Sequence, residues 1–113
     1  MLETFGGLTV VNTQEAPEGA VIELDNRNTS LYIKKFESKR NYYGEIYNYE
    51  EVESYEIGRA KDYFYDENET LRSPDEIISR IIHSIIYEIG FYPDGNDFLI
   101  DESITYYYEE CNR

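Results

Sequence analysis

The sequence predicts an α+β fold in a single domain spanning residues 1–113: an antiparallel sheet of four to six strands with one long amphipathic helix, about 75–89, packed on one face. Three observations lead there. Ile77, Ile78, Ile81, Ile82, Ile85, Ile86 and Ile89 recur at the helical period and need a facing apolar layer. Short β-branched and aromatic runs, bounded by Gly, Pro, Asn and Asp, lie before and after that stretch. Hydrophobic residues make up 41% of the chain and aromatic ones 16%, enough to favour a folded core over disorder despite a net charge of -14.

The first run is Leu8 to Val11, and Pro17-Glu18-Gly19 separates it from the next. Ala20–Leu24 and Leu31–Phe36 flank the polar cluster Asp25-Asn26-Arg27-Asn28, the pattern of a hairpin. From Tyr42 to Tyr65 the chain is rich in tyrosine and glutamate and reads as one or two strands, with Gly44 and Gly58 as bends or bulges. Ser73 and Pro74 then suit the N-cap and first position of the helix, with Asp75 and Glu76 at the positive end of its dipole. Gly90 supplies its C-terminal cap. Beyond it, Pro93-Asp94-Gly95-Asn96 reads as a turn, Phe98–Ile100 and Ile104–Tyr108 as short strands, and the last five residues as a fraying end.

Charge narrows the function. Twenty-four Asp and Glu stand against ten Lys and Arg, and the sequence pI is near 4.3. Residues 27–40 alone carry +4, through Arg27, Lys34, Lys35, Lys39 and Arg40 against Glu37, so the remainder carries -18. Such a chain is ill suited to bind nucleic acid directly or to approach an anionic membrane, because both need cations. It suits a basic protein surface. The basic segment is expected to pair with neighbouring acids or protect a sheet edge, and it leaves a homodimer open.

Catalytic chemistry finds little to build on. His83 is the only histidine and falls opposite the isoleucine stripe with Ser79 and Tyr87, so His-pair metal sites are excluded. Cys111 is a single thiol near the expected fraying end, and no disulfide can form within the chain. Asp94-Gly95-Asn96-Asp97 resembles part of a calcium loop, but Gly90 and Tyr92 would then occupy its first two ligand positions, which fails the pattern. No P-loop, GxGxxG or GxSxG motif occurs. No catalytic residue, metal site or cofactor is expected. The N-terminus shows no basic-then-apolar leader, so a cytoplasmic location is expected.

The candidate binding residues come from base-free acidic stretches that carry tyrosine. Glu45, Tyr47, Tyr49, Glu50, Glu51, Glu53, Tyr55 and Glu56 form the richest of these, and Asp101, Glu102, Glu109 and Glu110 lie in another that also holds Asp94 and Asp97. Carboxylates can occupy Lys and Arg sites built for phosphate, and tyrosine adds rigid contact area with a polar tip. On an extended strand Glu51 and Glu53 would share a face at about 6.5–7 Å, comparable with successive phosphates.

In size, acidity, tyrosine content and lack of catalytic motif, the whole chain resembles the small acidic inhibitors of bacteriophages and mobile elements, including anti-CRISPR proteins and anti-restriction DNA mimics. That resemblance is one of composition and carries no residue roles with it. It implies a stoichiometric inhibitor that presents DNA-like charge to a basic nucleic-acid-binding protein, in its most specific form an effector nuclease reading its target through arginines. The alternative is an immunity protein that neutralises a nuclease toxin.

Overall fold

Isoleucines from two layers build the centre of the molecule. The computed structural model describes residues 3–15, 18–93 and 98–113. Strands β1 (Thr4–Phe5), β2 (Leu8–Val11), β3 (Gly19–Leu24), β4 (Ser30–Arg40), β5 (Ile46–Arg59) and β6 (Leu99–Asp101) form a six-stranded sheet in the order β1-β2-β6-β3-β4-β5. Three α-helices accompany it: α1 (Ala60–Phe64), α2 (Pro74–His83) and α3 (Glu102–Cys111). Ile22, Ile33 and Ile100 of the sheet meet Ile77, Ile81 and Ile85 of the helical layer, all fully buried, with Phe5, Phe64 and Ile104 beside them. Each such burial contributes roughly 2 kcal/mol, against a few tenths lost when β-branched isoleucine enters a helix. Burial wins.

The single long helix is corrected. From Ser84 to Ile89 the winding widens to the π form, and only Pro74–His83 is α-helical. The wider turn brings Ser84 inward, where it is buried and Tyr63 Oη donates to its Oγ at 2.8 Å. Both ends match the sequence reading. Ser73 Oγ accepts from Glu76 N, and Gly90 closes the segment in the left-handed region with φ 79°. Gly6, at φ 57°, lies so close to α2 that a Cβ there would sit 2.4 Å from Ile78 Cγ1. Only glycine fits at that crossing.

The sheet is mostly antiparallel but mixed. β6 runs parallel to both β2 and β3, because the chain enters it from the helical layer, a crossover, and not through a hairpin. The β3–β4 hairpin forms as the sequence indicates, with Asp25 Oδ1 accepting from Thr29 N and Ser30 N in its turn. The Tyr42–Tyr65 region is one long strand, β5, followed by α1. β5 pairs with β4 through three register breaks, at Leu31/Tyr32, Lys35/Phe36 and Lys39/Arg40. The turn expected at 93–96 lies, from residue 94 onward, outside the described residues.

Ile104–Tyr108 is a helix and not a strand, and the expected fraying end is ordered as helix through Cys111. Asp101 starts it: its Oδ2 accepts from Ser103 N at 3.1 Å, while its Oδ1 accepts from Thr13 N at 3.0 Å and Thr13 Oγ1 at 3.1 Å. Ile104, Thr105, Tyr108 and Cys111 then recur at helical spacing on the packed side. Tyr108 meets Phe5 at 5.3 Å and Tyr107 meets Phe64 at 4.9 Å, both edge to face. Packing here overrides the strand preference of Thr and Tyr.

Two outcomes test this packing. Asp101→Ala removes a helix cap and leaves the half-buried Thr13 amide without its acceptor, so urea unfolding should show a loss of roughly 1–3 kcal/mol; a loss under about 0.5 kcal/mol would mean the cap is incidental. Burial first, and then the Cys111 thiol, push the Tyr107 phenol up to about 12. An unfolded phenol ionises near 10, so Tyr107 favours folding fully below about pH 10 and loses that contribution between about 10 and 12. Stability followed by urea midpoints should fall across that window, and less steeply in Tyr107→Phe. Identical alkaline slopes would remove Tyr107 from the explanation.

Candidate protein-binding surface

β5 is the last strand of the sheet, so among the described residues its outer edge pairs with no other strand. Among the described residues β3 pairs with β4 from Leu31 to Phe36. Past that point, Glu37–Arg40 and Ile46–Glu50 continue as a two-stranded ribbon. Fourteen residues of β5 span roughly 45 Å at strand rise, which accounts for most of a molecule measuring 55 × 30 × 24 Å.

The ribbon tip is held by side chains. Asn41 Oδ1 accepts from Tyr43 N at 2.9 Å and from Glu45 N at 3.0 Å, and Arg40 Nη1 donates to Gly44 O at 2.8 Å. Gly44 takes φ 83°, which the turn requires. The result holds Tyr42 and Tyr43 in solvent, 97% and 81% exposed, with their rings edge to face at 5.5 Å. These two tyrosines precede the candidate stretch that begins at Glu45. The Asn41-to-Gly44 signature marks the turn, but their exposure follows from the ribbon that carries it.

The register sorts the candidates by face. Lys35 opposes Glu53 whereas Phe36 opposes Glu51, so the bulge at Val52 sends Glu51 and Glu53 to opposite sides of the sheet. The phosphate-like spacing expected for that pair is therefore absent. Glu51 faces away from the helices with Tyr49 and Glu56; Glu50, Glu53 and Tyr55 face the helical side. Glu45 ends the tip turn and Tyr47 occupies the outermost bulge, both exposed.

Part of the charge is used inside the fold. Lys34 pairs with Glu23 on β3 and, at 3.2 Å, with Glu51 on β5. Lys39 pairs with Glu50 at 3.2 Å, and Lys35 with Glu37 at 3.6 Å. Partial burial works to lower the pKa of the Lys34 ammonium, but the hydrogen bonds and charges of Glu23 and Glu51 outweigh it and raise it. The far sheet face is not bare either, since Val21 beneath this network is fully buried. Glu45, Glu53 and Glu56 form no ion pair among the described residues.

The second stretch divides. Asp101 is buried and committed to its three donors, so it is no surface contact. Glu102 is half-buried in the first turn of α3, and Glu109 and Glu110 are exposed in its last. Asp94 and Asp97 lie outside the described residues. α3 packs on β3 and β6, away from β5, so the two acidic stretches do not merge into one surface. Tyr65 follows α1, and a hydrogen bond with the Cys111 thiol, followed by burial, raises the pKa of its phenol. That contact places the acidic turn with Glu67 and Glu69 near the end of α3.

His83 is exposed against Tyr87, as its place opposite the stripe implied. Among the described residues no group of His, Cys, Asp and Glu is arranged to hold a metal ion, and no helix is long and apolar enough to cross a membrane. Compared with known protein families, curated proteins and solved structures, the chain matches none.

Glu109 and Glu110 sit at the negative end of the α3 dipole, where the last turn has no basic residue. Carboxylates there cost about 0.3–1 kcal/mol each at low salt. Replacing both with Gln should therefore raise the thermal midpoint by a few degrees. A lowered midpoint would show that they serve the fold.

Proposed function

We propose that the chain is a stoichiometric protein inhibitor that binds a basic nucleic-acid-binding protein and competes with DNA for its cationic groove. Its most specific form is an anti-CRISPR protein blocking an effector nuclease in the cytoplasm of the host cell. The observation that carries this reading is a net charge of -14 that remains after the lysines of β4 have been engaged within the sheet. Part of the surplus lies where the fold gains nothing from it: Glu53 and Glu56 on the edge strand form no ion pair among the described residues, and Glu109 and Glu110 stand at the wrong end of a helix dipole.

The mechanism follows from the placement. Exposed carboxylates steer the chain to a positive groove, and near-diffusion-limited capture needs only the summed field. Bidentate guanidinium sites then take carboxylate in place of phosphate. Since Glu51 and Glu53 diverge across the sheet, the chain imitates the charge of a polynucleotide and not the repeat of its backbone. Tyr42, Tyr43 and Tyr47, exposed along the ribbon, supply the contact area that charge alone lacks.

The test is displacement of a fluorescent DNA duplex from a panel of RNA-guided effector nucleases. Near-equimolar chain should release the duplex from a susceptible effector, with affinity falling by at least about tenfold between roughly 50 and 200 mM salt. Failure to displace DNA from any effector, or displacement indifferent to salt, contradicts the proposal.

A further inference from the structure

At the root of the ribbon, on the helical side of β5, the chain encloses an open recess of about 410 Å³. Glu53 and Tyr55 form the sheet wall; Phe91 and Tyr92 form the other, brought there by the left-handed turn at Gly90. The rings of Tyr55 and Phe91 lie 6.0 Å apart and tilted by 53°. Tyr55 and Tyr92 remain 41% and 66% exposed. Tyr55 Oη donates to Glu53 Oε1 at 3.3 Å, which holds the carboxylate beside the rings. Lys35 lines the recess as well, as the cross-strand neighbour of Glu53, with its ammonium 3.6 Å from Glu37.

Aromatic walls with one carboxylate at their rim select a particular chemistry. A neutral apolar ligand would cover Glu53 without pairing it, at a desolvation cost. An anion would meet Glu53 with Glu50 on the same face. A planar cation satisfies both walls, because a guanidinium stacks on tyrosine while its edge donates to a carboxylate. The recess also opens beside the edge of β5 that no described strand covers, so a segment running along that edge can deliver a side chain into it. A second copy of this chain is a poorer occupant than a basic segment, because it would bring a second Glu50, Glu51, Glu53 and Glu56 to the same edge.

We propose that this recess receives the guanidinium of an arginine carried on an extended, basic segment of the partner protein laid along the free edge of β5. The inference rests on the reading of the chain as a binder of basic proteins, and it names the group the partner must present. β5 supplies backbone pairing, and Glu53, Tyr55 and Tyr92 supply side-chain selection, the division of labour usual in strand addition.

The probe is a capped peptide of alternating valine and arginine, compared with the same peptide carrying lysine or neutral, isosteric citrulline. The ring signals of Tyr55, Phe91 and Tyr92 are followed by NMR as each is added. The arginine peptide should move these signals and bind at least about tenfold more tightly than the citrulline peptide, with lysine between them. Glu53→Gln should weaken it about tenfold, Lys35→Gln should tighten it several-fold, and Glu67→Gln, an exposed carboxylate remote from the recess, should leave it unchanged. Unmoved ring signals, equal binding of citrulline, or indifference to Glu53→Gln overturns the recess. Salt-sensitive binding that survives Glu53→Gln would overturn it too while leaving charge-driven inhibition intact, and the DNA-displacement assay judges that broader reading separately.

Discussion

Lys34, shared between Glu23 on β3 and Glu51 on β5, is the interaction on which this acidic sheet depends. Two neighbouring strands that both carry glutamate would repel across β4 if its middle were neutral. The lysine answers both at once, half-buried over Val21, and two carboxylates keep its ammonium charged against the pull of burial. Lys39 repeats the arrangement further out with Glu50. Concentrating bases in one strand lets β5 reach past the rest of the sheet as a ribbon, although a lone two-stranded hairpin is marginal in water. It also explains a segment of +4 in a chain of -14.

The parts of the fold that were legible in the sequence are those where local signals and packing agree. Ser73 and Gly90 bracket the helical layer, and the Asp25 turn closes its hairpin, because each chemistry works within a few residues. The misses share a different cause. Thr105-Tyr106-Tyr107-Tyr108 prefers a strand in isolation, yet Asp101 caps a helix there and the core accepts Tyr108 one turn after Ile104, with Tyr107 against Phe64. The π winding starts at Ser84, whose hydroxyl bonds Tyr63 twenty-one residues away, and no local pattern announces such a bond. The parallel pairing of β6 likewise depends on the whole helical crossover.

The binding surface was legible in composition and less so in geometry. Tyr47, Glu53, Tyr55 and Glu56 are exposed on one strand, with Glu45 exposed in the turn before it, as a surface role requires. Glu50 and Glu51 turned out to be partly engaged by lysines, and Asp101 wholly engaged by its cap. A bulge, invisible in the alternation of residues, separates Glu51 from Glu53. The tip tyrosines and the Phe91–Tyr92 wall emerge only once the turn and the sheet edge are in place.

Inhibition should run on the negative charge that the fold leaves exposed, and plasmid interference in bacteria carrying a susceptible effector nuclease measures it. The native chain should restore transformation, while a variant with Gln at Glu45, Glu53, Glu56, Glu102, Glu109 and Glu110, every tyrosine retained, should fold and fail to protect. Equal protection by this variant would show that inhibition does not run on these carboxylates.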